Sequence, residues 1–298
     1  MIAVISHDAG GAEILSSYVR DHSLVCCFVL EGPARKIFES KLGVIEIILL
    51  SEAISQCESI LCSTSWQSNI EFDAIKLARA CGKRSVAFLD HWVNYLERFI
   101  RSDEMLLPDE IWVGDTIALE LASKIFPSTP IMLVENPYLK DVQRDIRALK
   151  IGQKPASDSI TLLYVCEPTS ALALLRHNDA RYWGYVEEDA LRYFLSNIWA
   201  LGQPIELILI RPHPSERFDK YAWAQYEFTL PIQYGGTRSL VEEIARSDVI
   251  VGCESMAMVV ALLANKKVIS CIPPDGRPCV LPHTDITSFQ AILKKANL

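Results

Sequence analysis

The sequence lacks the features that mark nucleic-acid-binding, secreted and membrane-spanning proteins. Its 298 residues carry a net charge of −8, so it has no basic excess of the kind that binds nucleic acid or anionic membranes. It contains no run of about 18 apolar residues and does not open like a secretion signal. Its nine cysteines form neither a zinc spacing nor a disulfide framework, which predicts reduced thiols. We therefore expect a cytoplasmic protein, with a peripheral position at the inner membrane left open.

Two signatures of bound cofactors are missing as well. No Asp-x-Asp triplet is present, so we expect no metal, and we expect no other cofactor. The pair Gly10-Gly11 is not the three-glycine fingerprint of dinucleotide-binding proteins. Apolar sequence is plentiful, because 50% of the residues are hydrophobic. That is enough for a sizeable core, and the length suits two domains of about 150 residues each.

Apolar runs alternate with amphipathic segments along the chain. In the first half they predict strands at residues 1–6, 24–30, 44–50, 59–62, 84–89, 110–113 and 131–134. In the second half they predict strands at residues 160–165, 205–210, 249–251 and 268–271, with a long helix at 187–201. Strands separated by helices are typical of parallel sheets. The polar stretch 150–159, with Gly, Pro and Ser, predicts a linker between the halves.

The predicted fold class is therefore α/β, with two Rossmann-like, doubly wound parallel-sheet domains facing a cleft. The domains are expected at residues 1–150 and 160–298. Open parallel sheets bind ligands at the carboxyl ends of their strands. Polar residues that directly follow a predicted strand are thus the first candidates for a functional site.

The most informative of these segments is the turn Arg211-Pro212-His213-Pro214, which follows the apolar run 205–210. Two prolines keep the turn stiff and non-helical. The side chains of Arg211 and His213 can both donate hydrogen bonds to a phosphate. A purely architectural turn is the alternative, but burying these two side chains without a partner is costly.

A second candidate segment, which contains His7, Asp8, Gly10 and Gly11, ends the first predicted strand. Glycines between a strand and a helix let a ligand approach the backbone closely. Asp8 or His7 could act as a general base there. The alternative is a tight turn in which Asp8 caps the following helix.

Asp90 and His91 follow the strand predicted at 84–89, and we expect them to line the same side of the cleft as the Asp8 segment. An Asp-His pair can tune a base. The alternative is an ordinary loop in which the neighbouring Trp92 packs against the core.

Three segments of the second half are candidates for binding a donor substrate. Glu167 follows the strand predicted at 160–165, and Gly236-Thr237 precedes a predicted helix. Glu254-Ser255 follows the strand predicted at 249–251, where Ser255 can cap a helix or bind a phosphate oxygen and Glu254 can accept from ribose hydroxyls. Each segment has a plain structural alternative as a strand-to-helix turn.

Taken together, these segments resemble glycosyltransferases of the GT-B fold. The Arg211-Pro212-His213-Pro214 turn is similar to the His-Pro motif of bacterial sialyltransferases, polysialyltransferases and Kdo transferases. Glu254-Ser255 lies where those families carry a Ser-Ser or Ser-Thr pair, with Glu254 in place of the first hydroxyl. The resemblance implies that His213 and Ser255 contact the donor phosphate and that Asp8 is the base.

The resemblance implies a metal-independent glycosyltransferase of polysaccharide or glycolipid assembly, with a sugar donor, a glycan or glycolipid acceptor, and possible assembly or membrane partners. UDP-sugar 2-epimerases and related hydrolases share strand-end His and Glu residues and form one alternative. A non-catalytic sugar-phosphate-binding protein is another. CMP-, UDP- and CDP-linked donors, and a non-nucleotide sugar phosphate, all remain open.

Overall fold

A computed structural model describes residues 1–65, 68–149 and 158–297 of the chain. Its contacts divide the protein into two compact units, Met1–Asp141 and Val142–Leu298. The predicted linker at 150–159 lies outside the described residues except for its last two positions. The proposed domain limits at 150 and 160 therefore stay predictions.

The first unit is a parallel sheet with helices between its strands. Its strands are β1 (Ile2–Ser6), β2 (Cys26–Leu30), β3 (Ser59–Cys62), β4 (Arg84–Leu89), β5 (Ile100–Arg101), β6 (Glu104–Met105), β7 (Glu110–Val113) and β8 (Ile131–Leu133). Its helices are α1 (Ala9–His22), α2 (Ala34–Leu42), α3 (Leu50–Gln56), α4 (Ile70–Ala80), α5 (Thr116–Ile125) and α6 (Pro137–Ala148), the last of which crosses the unit boundary. The sheet runs β2-β1-β3-β4-β7-β8, all parallel, while β5 and β6 form a small antiparallel pair.

The strand predicted at residues 44–50 is wrong. This stretch lies beside β2 at the outer edge of the sheet, where Ile47 makes a single parallel bridge to Phe28. Val44 and Leu49 are exposed, and Leu50 already begins α3. None of the residues 44–50 is fully buried, and the run pairs with β2 at one position only.

The second unit has the same design. Its strands are β9 (Ile160–Val165), β10 (Ile205–Arg211), β11 (Ile232–Tyr234), β12 (Val249–Gly252), β13 (Lys267–Ser270) and β14 (Ile286–Ser288). Its helices are α7 (Thr169–His177), α8 (Glu187–Ser196), α9 (Trp223–Glu227), α10 (Leu240–Arg246), α11 (Met256–Leu263) and α12 (Phe289–Ala296). The long helix predicted at 187–201 is instead α8 followed by a short 3₁₀ turn, Ile198–Leu201.

All neighbouring strands of this second sheet are parallel, in the order β11-β10-β9-β12-β13-β14. If strands β9 to β14 are renumbered 1 to 6 in chain order, their order in the sheet is 3-2-1-4-5-6, which is the Rossmann order. Every residue of β9 is buried, as its central position and apolar sequence require. The predicted fold class, two doubly wound parallel-sheet units, is therefore confirmed. Across the described part of the chain, no helix is long and apolar enough to span a membrane.

Candidate functional site

The second sheet reverses its strand order between β9 and β12, and the loops after these two strands meet there. The Glu167 carboxylate, just after β9, accepts the backbone N–H groups of Cys253 at 3.1 Å and Glu254 at 2.8 Å. Burial, with a smaller contribution from the charge of Glu254, raises the pKa of Glu167 to about 7, although those N–H groups oppose the shift. Ligands of doubly wound sheets bind at such a switch point.

The His213 side chain lies in the turn after β10 in a defined tautomer. Its Nδ1 accepts the backbone N–H of Ser215 at 3.2 Å and lies 2.7 Å from the Ser215 hydroxyl. Because Nδ1 is an acceptor, the neutral ring carries its proton on Nε2. Burial lowers the pKa of His213, and the charge of Glu216 offsets only part of that effect. His213 is thus a neutral hydrogen-bond donor at neutral pH.

A cavity of about 290 Å³ brings three of the predicted donor-side residues together, whereas Glu167, Gly236, Thr237 and Glu254 are not among its lining residues. Arg211 and His213 line it from the β10 turn, and Ser255 lines it from the start of α11. The Ser255 hydroxyl caps α11 by accepting the N–H of Ala257 at 3.2 Å. The positive end of the α11 dipole therefore lies at the cavity beside His213. A group of this kind suits an anion such as a phosphate. We call it the anion cavity.

Arg211 already has a protein partner. Its Nη1 donates to the Glu243 carboxylate at 2.7 Å and to the carbonyl of Arg238 at 3.0 Å. The Glu243 side chain is only 1% exposed, and it also accepts the N–H of Gly236 at 2.6 Å. Glu243 thereby ties the Gly236-Thr237 loop to the end of β10. Thr237 itself is exposed and does not line the anion cavity.

Glu254 is also paired, with the guanidinium of Arg277. It lies 3.4 Å from the N–H of Val280 as well. The Arg277 guanidinium also lies 4.8 Å from the centre of the Trp183 ring, within range of a cation–π contact. The structure therefore directs Glu254 toward the loop after β13.

In the first unit, His7 and Asp8 form a pair at the end of β1. His7 Nδ1 lies 2.7 Å from Asp8 Oδ1, and both side chains are largely buried. Asp8 occupies the N-cap position of α1 but makes no capping hydrogen bond with its side chain. The alternative interpretation of Asp8 as a helix cap is therefore wrong. A Cβ at Gly32 would come within 2.7 Å of His7 Nε2, so glycine is needed beside this nitrogen.

The His7 backbone is held by a buried carboxylate of α4. Glu71 accepts the N–H of His7 at 2.9 Å and the hydroxyls of Ser63 at 3.0 Å and Ser65 at 2.7 Å. Burial raises the pKa of Glu71, and these hydrogen bonds counteract the increase. The network joins the ends of β1 and β3 at the switch point of the first sheet.

Asp90 lies against the first turn of α1. Its carboxylate pairs with Arg98 Nη1 at 2.6 Å, and a Cβ at Gly10 would lie 2.3 Å from Asp90 Oδ2. Gly11 contacts Ser63 just as closely, because its Cβ would lie 2.2 Å from the serine Cβ. His91 accepts the N–H of Trp92 at 3.0 Å within its own loop. Gly10 and Gly11 thus allow the first turn of α1 to pack closely against Asp90 and Ser63.

Sequence reasoning missed three buried glutamates, of which Glu71 and Glu243 hold the loops described above and Glu187 holds the N–H of Ser170. Glu71, Glu187 and Glu243 each lie in the first turn of a helix and on its buried face. An acidic residue at an apolar-face position of a helical pattern was the available signal. Within the described ranges, no group of three His, Cys, Asp or Glu side chains could hold a metal ion.

The sequence matches no protein-family model and none of the curated proteins. Solved structures do resemble it. A putative UDP-N-acetylglucosamine 2-epimerase from Listeria monocytogenes is 13% identical with a TM-score of 0.56, over 90% of this chain and 78% of that one. The glycotransferase of kitacinnamycin is 10% identical with a TM-score of 0.55, over 92% and 81% of the chains. A UDP-glucosyltransferase from Polygonum tinctorium is 10% identical with a TM-score of 0.50, over 91% and 80%.

At this identity the likeness shows the fold alone. The chain shares the two-unit α/β fold of GT-B-type proteins, which includes both transferases and the epimerase named above. Activity has to be argued from the side chains themselves.

Proposed function

We propose that the chain is a glycosyltransferase that moves a sugar from an activated, nucleotide-linked donor to a hydroxyl of a polysaccharide or glycolipid acceptor. The observation that carries this proposal is the anion cavity, where His213 offers Nε2–H beside the N-terminus of α11. Such donors stabilise the negative charge that develops on a departing phosphate. The likeness of the His-Pro turn to that of sialyl- and Kdo transferases supports the same assignment.

In the proposed reaction, the acceptor hydroxyl attacks the anomeric carbon while the bond from that carbon to the donor phosphate oxygen breaks. Asp8 accepts Nδ1–H of His7, which leaves the lone pair on Nε2 to take the hydroxyl proton. This geometry favours His7 as the proton acceptor and Asp8 as the group that orients it. His213 and Ser255 receive the phosphate, so we propose that no metal ion takes part.

A panel of UDP-, CMP-, CDP- and GDP-sugars, assayed with and without glycan acceptors, tests the proposal. We expect transfer that EDTA does not inhibit. His7→Ala should lower kcat by about 10²–10⁴, the usual contribution of a general base. His22→Ala, an exposed histidine of α1, should retain full activity. Full activity in both His7→Ala and Asp8→Asn would remove the base assignment.

The same panel separates the alternatives. UDP-linked sugars are tested first, because the names of two structural neighbours contain a UDP-linked sugar or its transfer. Nucleotide release without an acceptor would indicate an epimerase or hydrolase. A nucleotide that raises the melting temperature without turnover would indicate a binding protein that serves an assembly partner. Neither transfer nor donor hydrolysis across the panel would contradict the proposed transferase.

A further inference from the structure

Two segments flank the anion cavity, and the N–H of Cys166 joins them at their base by donating to the carbonyl of Arg211 at 2.9 Å. The β9 loop is defined as residues 166–170, which include the first two residues of α7 and contain Glu167, and the β10 loop is defined as residues 212–216, which contain His213. A second cavity of about 480 Å³ is lined by Pro168 and Ser170 from one loop and by Ser215 and Glu216 from the other. Beyond their base, polar contacts at this cavity link the two loops.

Lys220 makes such contacts. Its Nζ donates to the Glu216 carboxylate at 2.8 Å and to the Glu187 carboxylate of α8, and Glu188 lies 3.5 Å away. The Glu187 and Glu216 side chains are only 4% and 5% exposed. One ammonium group thus neutralises two buried carboxylates.

Each of these carboxylates holds one of the two loops. Glu187 accepts the N–H and the hydroxyl of Ser170, both at 2.8 Å. Glu216 accepts the N–H of His213 at 2.9 Å. A continuous chain of hydrogen bonds therefore runs from the β9 loop through Lys220 to the backbone of His213.

Without the ammonium group, the two carboxylates would repel each other in a poorly hydrated place. Burial alone would raise the pKa of Glu187, but its hydrogen bonds from Lys220 and Ser170 lower it. Burial alone would lower the pKa of Lys220, but the two carboxylates raise it. The nearby Arg217 is exposed and pairs with Asp219, so it does not replace Lys220.

We propose that Lys220 is a positioning residue that clasps the β9 loop to the β10 loop and so holds His213 at the anion cavity. The effect on donor binding rests on the proposed function, whereas the clasp is a property of the fold.

Amide hydrogen exchange tests the clasp directly, in the full chain and without a substrate. In Lys220→Met, we expect the amides of Ser170 and His213 to exchange at least tenfold faster, because the carboxylates that accept them move apart. Lys220→Arg should stay within threefold of the parent. Lys266→Met is the matched control, since Lys266 is a half-buried lysine of the same unit that donates to Ala245 instead. Unchanged exchange in folded Lys220→Met would overturn the proposal.

Nucleotide binding tests the consequence. Calorimetry with CMP and UDP should show at least tenfold weaker binding to Lys220→Met, with recovery in Lys220→Arg and no loss in Lys266→Met. If the parent chain binds neither nucleotide, the proposed function fails while the exchange experiment still decides the clasp.

If Lys220→Met does not fold, the exchange experiment is done with Glu187→Gln instead. In this variant the amide of Ser170 should exchange at least tenfold faster while the amide of His213 stays protected. Unchanged exchange at Ser170 would overturn the proposal.

Discussion

Glu167 couples the stability of the second unit to pH. Its pKa of about 7 is well above the usual 4.5 of a glutamate. Between these two values the folded protein holds a proton that the unfolded chain releases, so its contribution to stability is complete below about pH 4.5 and is lost as pH rises through 7.

Glu167→Gln should remove this dependence, because glutamine keeps an acceptor for the N–H groups of Cys253 and Glu254 but does not titrate. Each unit of pKa shift corresponds to about 1.4 kcal/mol. Between pH 4.5 and 8, the unfolding free energy of Glu167→Gln should therefore fall by at most about 3 kcal/mol less than that of the parent chain. Urea unfolding at a series of pH values measures it, with the exposed Glu46→Gln as control. Parallel stability curves for parent and Glu167→Gln would refute the assignment.

Gly10→Ala is a second test at the residue scale, since two effects predict opposite signs. Helix propensity alone would make alanine stabilising by about 0.5–1 kcal/mol. The new Cβ would lie 2.3 Å from Asp90 Oδ2 and push that carboxylate from Arg98. We expect the clash to win, with a loss of about 1–3 kcal/mol in chemical unfolding. A gain in stability would show that the Asp90 carboxylate moves away from the new Cβ at little energetic cost.

Residues beside a strand end were predictable, whereas their partners were not. His213 and Ser255 could be picked out because each directly follows an apolar strand. Arg211 was expected at the ligand, but its contact with Glu243 joins residues 32 positions apart. Only the packing of α10 against the sheet reveals that pairing, and a linear pattern does not contain it.

At the scale of elements, three helices share one way of fixing a functional loop. Glu71 in α4, Glu187 in α8 and Glu243 in α10 each place a buried carboxylate in the first helical turn. Each accepts a backbone N–H from a segment that follows a strand, which for Glu187 is the first turn of α7. A carboxylate near a helix N-terminus is also favoured by the helix dipole. These hydrogen bonds attach the segments after the strands to the first turns of α4, α8 and α10.

The adjacent glutamates of α10 provide a matched test. Glu243→Gln cannot form the ion pair with Arg211 and leaves a half-buried guanidinium without its counter-charge, so we expect a loss of about 2–4 kcal/mol. Glu242→Gln keeps an acceptor for the exposed N–H and hydroxyl of Ser239 and should cost under about 1 kcal/mol. Urea unfolding of both variants at pH 7 measures the difference. Equal losses would mean that Glu243 does not organise the loop.

Strand prediction failed mainly at the sheet edges. Central strands such as β9 are continuous apolar runs and were found with correct bounds. The edge strands β11 and β14 have only three residues each, too short for a periodic signal, and were missed. The run 44–50 was predicted as a strand but is not one, because it pairs with β2 only through the bridge from Ile47 to Phe28.

For the whole molecule, the alternation of strands and helices was sufficient to predict two doubly wound units, because only parallel sheets accommodate that order. The second sheet brings the ends of β9, β10 and β12 to one edge, and chain topology alone implies this. The donor, the acceptor and the membrane or assembly partners stay predictions, because the fold serves many substrates.

A nucleotide bound as proposed should protect one edge of one sheet. With saturating UDP or CMP, we expect slower amide exchange just after β9, β10 and β12, since bound ligand lowers the population of locally open states. The amides at the opposite ends of these strands should change little. Uniform protection of both units would contradict local binding, and mass-spectrometric exchange on the full chain resolves the difference.

His213 is the proposed phosphate contact of the anion cavity, and the proposed donor binding depends on it more than on any other side chain. Calorimetric titration of the best-binding nucleotide into the parent chain, His213→Ala and His177→Ala is its most direct test, because His177 is an exposed histidine of the same unit. Loss of a buried hydrogen bond to a charged group is worth about 1.5–3 kcal/mol, so Kd should rise about 10- to 150-fold for His213→Ala and stay unchanged for His177→Ala. Equal affinity of His213→Ala and the parent chain for the nucleotide would contradict the assignment of His213 as the phosphate contact.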